Sequence, residues 1–271
     1  MLVQAQPAIL ADVELLVAPE PARPSLAFVR AAQKLGAVLD PPRAPELWVS
    51  AAAVGSAANQ QASAESQFKL SGDIALVSDY RIAGVSSTGR KPALQGEIDV
   101  DAPHGWSGGV WASNIKEFAG ARTEIDLYGS KTVDFGDTEL ALGATAIWLA
   151  GGQNIVVGLA TASLSRPIGP VDATVSLRYA WRQARLDGAD DFSVSASVKT
   201  PIGALAGVPL TLGASLGYED GIFVSENTKT DWSLSLTANV RDVDIGVSYV
   251  DTDVRDPNAA PACLVTITRA F

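Results

Sequence analysis

From residue 67 to the C-terminus, apolar and polar side chains alternate with a period of two, and no other feature of the chain limits its fold as strongly. That period places successive side chains on opposite faces of an extended strand. In the first segment Phe68, Leu70, Ile74 and Leu76 share one face, while Lys69, Ser71 and Asp73 share the other. In the second, Leu94, Gly96, Ile98 and Val100 alternate with Gln95, Glu97, Asp99 and Asp101. A row of carboxylates cannot lie in a dry core, because removing a charge from water is costly unless it is paired. Similar alternation recurs near 106–115, 121–130, 138–149, 154–164, 171–181, 191–199, 209–219, 230–240, 242–251 and 262–271, so twelve segments are expected. Turn residues separate them, among them Pro103-His104-Gly105, Phe135-Gly136-Asp137, Gly151-Gly152, Asp187-Gly188-Ala189 and Arg241-Asp242. A repeat of about 17 residues fits transmembrane strands of roughly 9–11 residues with alternating short and long connections.

A soluble β-sandwich alternates in the same way, so the aromatic residues must decide. Trp106, Trp148, Trp181, Phe192, Tyr218, Trp232 and Tyr249 lie on the apolar face near segment ends, whereas segment centres such as Leu142, Ala144 and Ala146 are small or aliphatic. A sandwich would concentrate rings at mid-strand; a membrane barrel gathers them at the two interfaces. The chain ends on Phe271, in phase with Cys263, Val265 and Ile267. A strand-terminal Phe is similar to the signal by which outer-membrane barrels are recognised for assembly, although Arg269 departs from it. In hydrocarbon every backbone polar group needs a partner, so spanning strands must close on themselves. The expectation is an all-β, transmembrane, antiparallel up-and-down barrel of about twelve strands over residues 65–271.

Residues 1–64 read as a separate, poorly structured extension, interrupted by Pro7, Pro19, Pro21, Pro24, Pro41, Pro42 and Pro45. One helix is expected over 25–39, where Leu26, Val29, Leu35 and Val38 recur near helical spacing. No base precedes Arg23, unlike an ordinary secretory signal. Residues 47–58 are small and apolar, and Ala62-Ser63-Ala64 has the form of a cleavage site; an Ala-rich linker is the equal alternative.

A formal charge of -10 argues against a nucleic-acid partner, which needs clustered Lys and Arg. His104 is the only histidine and reads as a turn residue, so Ser-His and Cys-His catalysis and multi-histidine metal sites lack their base or ligand. Cys263 cannot form an internal disulfide and reads as a small hydrophobe. No enzyme activity and no cofactor are expected.

The candidate pore-lining residues are Asp73, Asp79, Arg81, Glu97, Asp99, Asp101, Arg122, Glu124, Asp126, Arg178, Arg182 and Lys199. With Glu139, Asp172, Glu219, Asp231, Asp244 and Lys69 added, the polar face carries twelve acids and six bases. Glu97, Asp99 and Asp101 recur about 6.6 Å apart along an extended strand, which suits a charged wall better than a cation cage.

Five stretches carry a family resemblance: Leu76-Val77-Ser78-Asp79-Tyr80-Arg81, Gly84-Val85-Ser86, Lys91-Pro92-Ala93-Leu94-Gln95-Gly96, Trp111-Ala112-Ser113-Asn114 and Glu124-Ile125-Asp126-Leu127-Tyr128. Within about 60 residues the chain resembles the TorF family of porins; the long N-terminal extension is unlike that family. The resemblance implies a pore in the outer membrane of a Gram-negative bacterium and brings no catalytic motif. The expected function is diffusion of small hydrophilic solutes, cationic or neutral, across outer-membrane lipid; the sequence leaves homo-oligomer formation open. The alternatives are a plugged structural or interaction barrel without conductance and a soluble β-sandwich binding module. An even strand count puts both ends of the barrel on one side. Connections near 86–90, 115–120, 183–190, 219–229 and 252–261 are then extracellular.

Overall fold

The computed structural model describes residues 68–224 and 228–271. The expected extension over 1–64, its helix and its cleavage site lie outside the described residues. Twelve long strands form one closed antiparallel barrel, in which each strand pairs with its neighbours in the chain. They are β1 (Lys69–Val77), β4 (Ala93–Ala102), β5 (Trp106–Phe118), β6 (Ala121–Phe135), β7 (Thr138–Gly151), β8 (Ile155–Ile168), β9 (Val171–Ala180), β10 (Asp191–Leu205), β11 (Val208–Gly221), β12 (Thr228–Val240), β13 (Val243–Thr252) and β14 (Ala262–Ala270). Two short strands, β2 (Arg81–Ile82) and β3 (Val85–Ser86), make a separate hairpin within the β1–β4 connection. The main sheet closes on itself, and the other sheet among the described residues is only the two-residue β2–β3 pair, so the β-sandwich alternative falls.

Closure runs through β1 and β14, whose register pairs Asp73 with Ala270 and Val77 with Thr266. Phe271 completes the seam: its N–H donates to the Gly72 carbonyl at 2.9 Å, and the Gly72 N–H donates to the Phe271 carbonyl at 3.1 Å. Glycine is needed at this position, since a Cβ on Gly72 would come within 2.8 Å of the Phe271 ring.

The outer surface is aliphatic at mid-strand, with Ile98, Leu127, Leu142, Val175, Leu212, Leu234 and Val247 all exposed. Rings bracket this band. Trp148, Tyr179, Trp181, Phe192, Tyr218 and Trp232 ring the end that carries the long connections; Phe68, Trp106, Phe135 and Phe271 lie at the end with the short turns. At the latter end Lys131 Nζ sits 5.7 Å from the centre of the Trp106 ring, a cation–π pair.

Candidate functional site

The inner wall is built from register rows, and each row changes character as it passes round the barrel. Asp73, Glu97, Trp111, Asp126, Ile147 and Val157 are successive partners across β1, β4, β5, β6, β7 and β8. One row thus passes from carboxylates, through an indole, to aliphatic side chains. The row beside it holds Asp99, Gly109, Tyr128, Thr145 and Leu159. Gly109 has no side chain to block the Tyr128 phenol; a Cβ there would stand 2.5 Å from its hydroxyl. The phenol therefore donates to Asp99 Oδ1 at 2.5 Å and also engages Glu97 Oε1. On the far side the wall is hydroxyl-lined. Ser176, Ser195, Ser197, Ser215 and Ser233 face inward on β9 to β12, and Ser215 and Ser233 hydrogen-bond at 2.7 Å. Towards the short turns this interior is open: Asp101 and Asp172 are exposed. Among the described residues, no three His, Cys, Asp or Glu side chains converge as a metal site.

Towards the long connections the interior is filled. Residues 78–92 turn inward instead of outward, and Tyr80, Ile82, Val85, Ser86 and Thr88 are all buried. The tip is a two-residue turn at Ala83 (φ 44°) and Gly84 (φ 82°), positive at both central residues as in type I′ hairpins. Ile82 and Tyr80 join an apolar cluster with Trp111, Ile147, Leu149, Val157, Leu159, Leu186 and Phe223. The Tyr80 and Trp111 rings lie 5.3 Å apart. A polar expectation for the whole inner face is corrected here: on β7 and β8 the inward side chains near this end are aliphatic, because they meet the hairpin and not water.

Beside the hairpin lies a buried ion network. Arg178 Nη2 donates to Glu219 Oε1 at 2.9 Å, and Lys229 Nζ engages Glu219 Oε2. All three side chains are at most 5% exposed. Asp191 Oδ2 accepts from the Phe223 N–H at 3.1 Å, which ties Phe223 to β10.

The family model for a bacterial protein of unknown function, Gcw_chp, matches residues 61–270. The chain belongs to this family. No curated protein matches its sequence. Among solved structures it is similar to the KdgM porin, at 9% identity and a TM-score of 0.51, with 74% of this chain and 98% of that chain covered. It is also similar to the NanC porin, at 13% identity and a TM-score of 0.48, over 74% and 98%. The KdgM likeness shows a porin-like barrel fold.

In this Gcw_chp barrel the predicted lining residues divide into three groups. Asp73, Glu97, Asp99, Asp101, Glu124, Asp126, Arg178 and Lys199 lie at inward positions of the wall, and Asp73, Glu97, Glu124, Asp126 and Arg178 are buried there. Asp79 and Arg81 belong to the inserted hairpin, where they pair at 2.7 Å. Arg122 and Arg182 are corrections. A register shift between Ala121 and Thr123 turns Ala121 inward, and the Arg122 side chain stays 73% exposed beside Glu117. Arg182 lies beyond the end of β9 and is 74% exposed near Asp190. The sequence reading missed Lys229, Asp191, Tyr80, Trp111 and Tyr128. Lys229 was detectable by phase, since it shares a face with Asp231 and Ser233, opposite Trp232 and Leu234.

Proposed function

We propose that the chain is an outer-membrane pore for small hydrophilic solutes, cationic or neutral, as the TorF resemblance implies. One observation carries this reading: a closed barrel whose outside is aliphatic between two belts of rings and whose inside is lined by carboxylates and hydroxyls. A soluble protein avoids so large an exposed apolar surface, and lipid is the environment in which it is stable. Eight strands already leave room only for side chains, while sixteen or more leave a water-filled channel. Twelve fall between, which suits a narrow pore. The KdgM-like fold supports the same reading at the level of fold. Purified protein in planar bilayers should give discrete conductance steps; a correctly folded barrel that conducts neither as it stands nor with residues 80–90 replaced by a short link would refute the pore. A second reading, a plugged structural barrel, draws support from the inserted hairpin, and the same trace distinguishes the two.

A further inference from the structure

Residues 79–90 satisfy much of their own polar chemistry. Asp79 Oδ1 accepts from Ser86 Oγ at 2.5 Å and Thr88 Oγ1 at 2.9 Å, while Asp79 Oδ2 accepts from Arg81 Nε at 2.7 Å. Arg81 Nη1 donates to the Gly84 carbonyl at 2.9 Å, the Tyr80 N–H to Thr88 Oγ1 at 3.2 Å, and the Arg90 N–H to Ser86 Oγ at 2.8 Å. Links to the rest of the barrel include Arg81 Nη1 to the Ala260 carbonyl at 2.7 Å and the Lys116 N–H to the Ser87 carbonyl at 2.8 Å. They also include Tyr80 Oη to Glu124 Oε1 at 3.3 Å. The hairpin therefore spans the mouth from β5 to the β13–β14 connection and carries its ion pair with it.

That self-sufficiency is informative. A permanently buried filler is at least as stable when apolar, because desolvating an ion pair consumes most of its attraction. A unit that alternates between a packed and a solvated position benefits from a pair that is satisfied in both. The polar wall beneath, open from the short-turn end, is of use to a solute only when the mouth opens. Resting on the pore reading, we propose that residues 78–92 are a displaceable plug, latched by Arg81 to Ala260, and that solutes pass only when it leaves the mouth.

Three proteins test this in planar bilayers, each checked for the heat-dependent gel shift of a folded barrel. In the first, residues 80–90 are replaced by a short Gly-Ser link; the expected result is conductance several-fold above wild type. In the second, Arg81→Ala loosens the latch alone, and openings should become more frequent at unchanged step size. The third joins the inserted segment to β5 through Gly89→Cys and Lys116→Cys in a Cys263→Ser background, since a Cβ on residue 89 would stand 3.9 Å from that of Lys116, within disulfide range. Oxidation should hold this pore shut and reductant should release it. Equal conductance with and without the hairpin, or an oxidised cross-link that conducts like wild type, overturns the plug and leaves the pore standing. Folded barrels that conduct in none of these forms overturn the pore reading, and the plug with it.

Discussion

Glu219 on β11 receives two cations, Lys229 from the adjacent β12 and Arg178 from β9, two strands away across β10, in a region with almost no solvent contact. Glu219→Ala would leave both cations buried without their shared carboxylate. Breaking one side of such a pair costs about 3–5 kcal/mol, because the remaining charge stays desolvated. The expected outcome is a lower urea midpoint for the folded barrel, read by its heat-dependent gel mobility, with little change for Glu117→Ala at the exposed Arg122 pair. An unchanged midpoint for Glu219→Ala would show that water reaches the network. At this scale the sequence was legible wherever phase alone decides the face: Asp73, Glu97, Glu124 and Arg178 all follow from counting by two. It failed where one extra residue enters the ladder. The shift at Ala121–Thr123 exchanges the inward place between Ala121 and Arg122, and nothing in the local alternation announces it.

The barrel strands follow the expected segments closely, because each is long enough for the period of two to repeat. β2 and β3 have two residues each and cannot display a period. Their signal lay elsewhere. The stretches that carry the TorF resemblance converge in space: Tyr80 packs its ring at a tilt against Trp111 and bonds Glu124, and Asn114 Oδ1 accepts from the Leu94 N–H at 2.8 Å where the hairpin re-enters β4. The motif stretches are thus the inserted hairpin and the wall it packs against. β7 and β8 offered a second hint, since Ile147, Trp148 and Leu149 and then Ile155, Val156 and Val157 are apolar on both faces, as in strands buried on both sides. The element order also carries an expectation of sidedness, with long connections outward. All long connections leave one end of the barrel, so in a Cys263→Ser background a cysteine at Ala184 should react with an impermeant thiol reagent on intact cells. One at Asp137, in the short β6–β7 turn, should react only after the envelope is opened. The reverse pattern would invert the barrel.

At the scale of the whole molecule, charge sets the expected selectivity, and the structure changes which charges matter. Arg122 and Arg182 leave the lumen for exposed positions, and Asp79 and Arg81 neutralise each other on the hairpin. Lys229 and Asp191 enter, and Lys229 pairs with Glu219. What remains open to the aqueous interior is acidic, led by Asp99 and Asp101 on β4, while Glu97 lies buried higher up beside Tyr128. A low-dielectric wall focuses the field of such carboxylates within the pore, concentrating cations and repelling anions. The effect is screened as salt shortens the Debye length from about 10 Å at 0.1 M to about 3 Å at 1 M. In a potassium chloride gradient the reversal potential should therefore show cation preference at low salt and approach zero at high salt. Asp99→Asn with Asp101→Asn should move the low-salt value towards zero. Glu97→Gln alone should move it less, since that carboxylate is shielded from the aqueous path. The hairpin-deleted pore is the better host for the measurement, because its larger current leaves the wall as the remaining filter. Anion preference in that pore, or a double variant with the wild-type reversal potential, would mean that the permeating ions do not pass along β4.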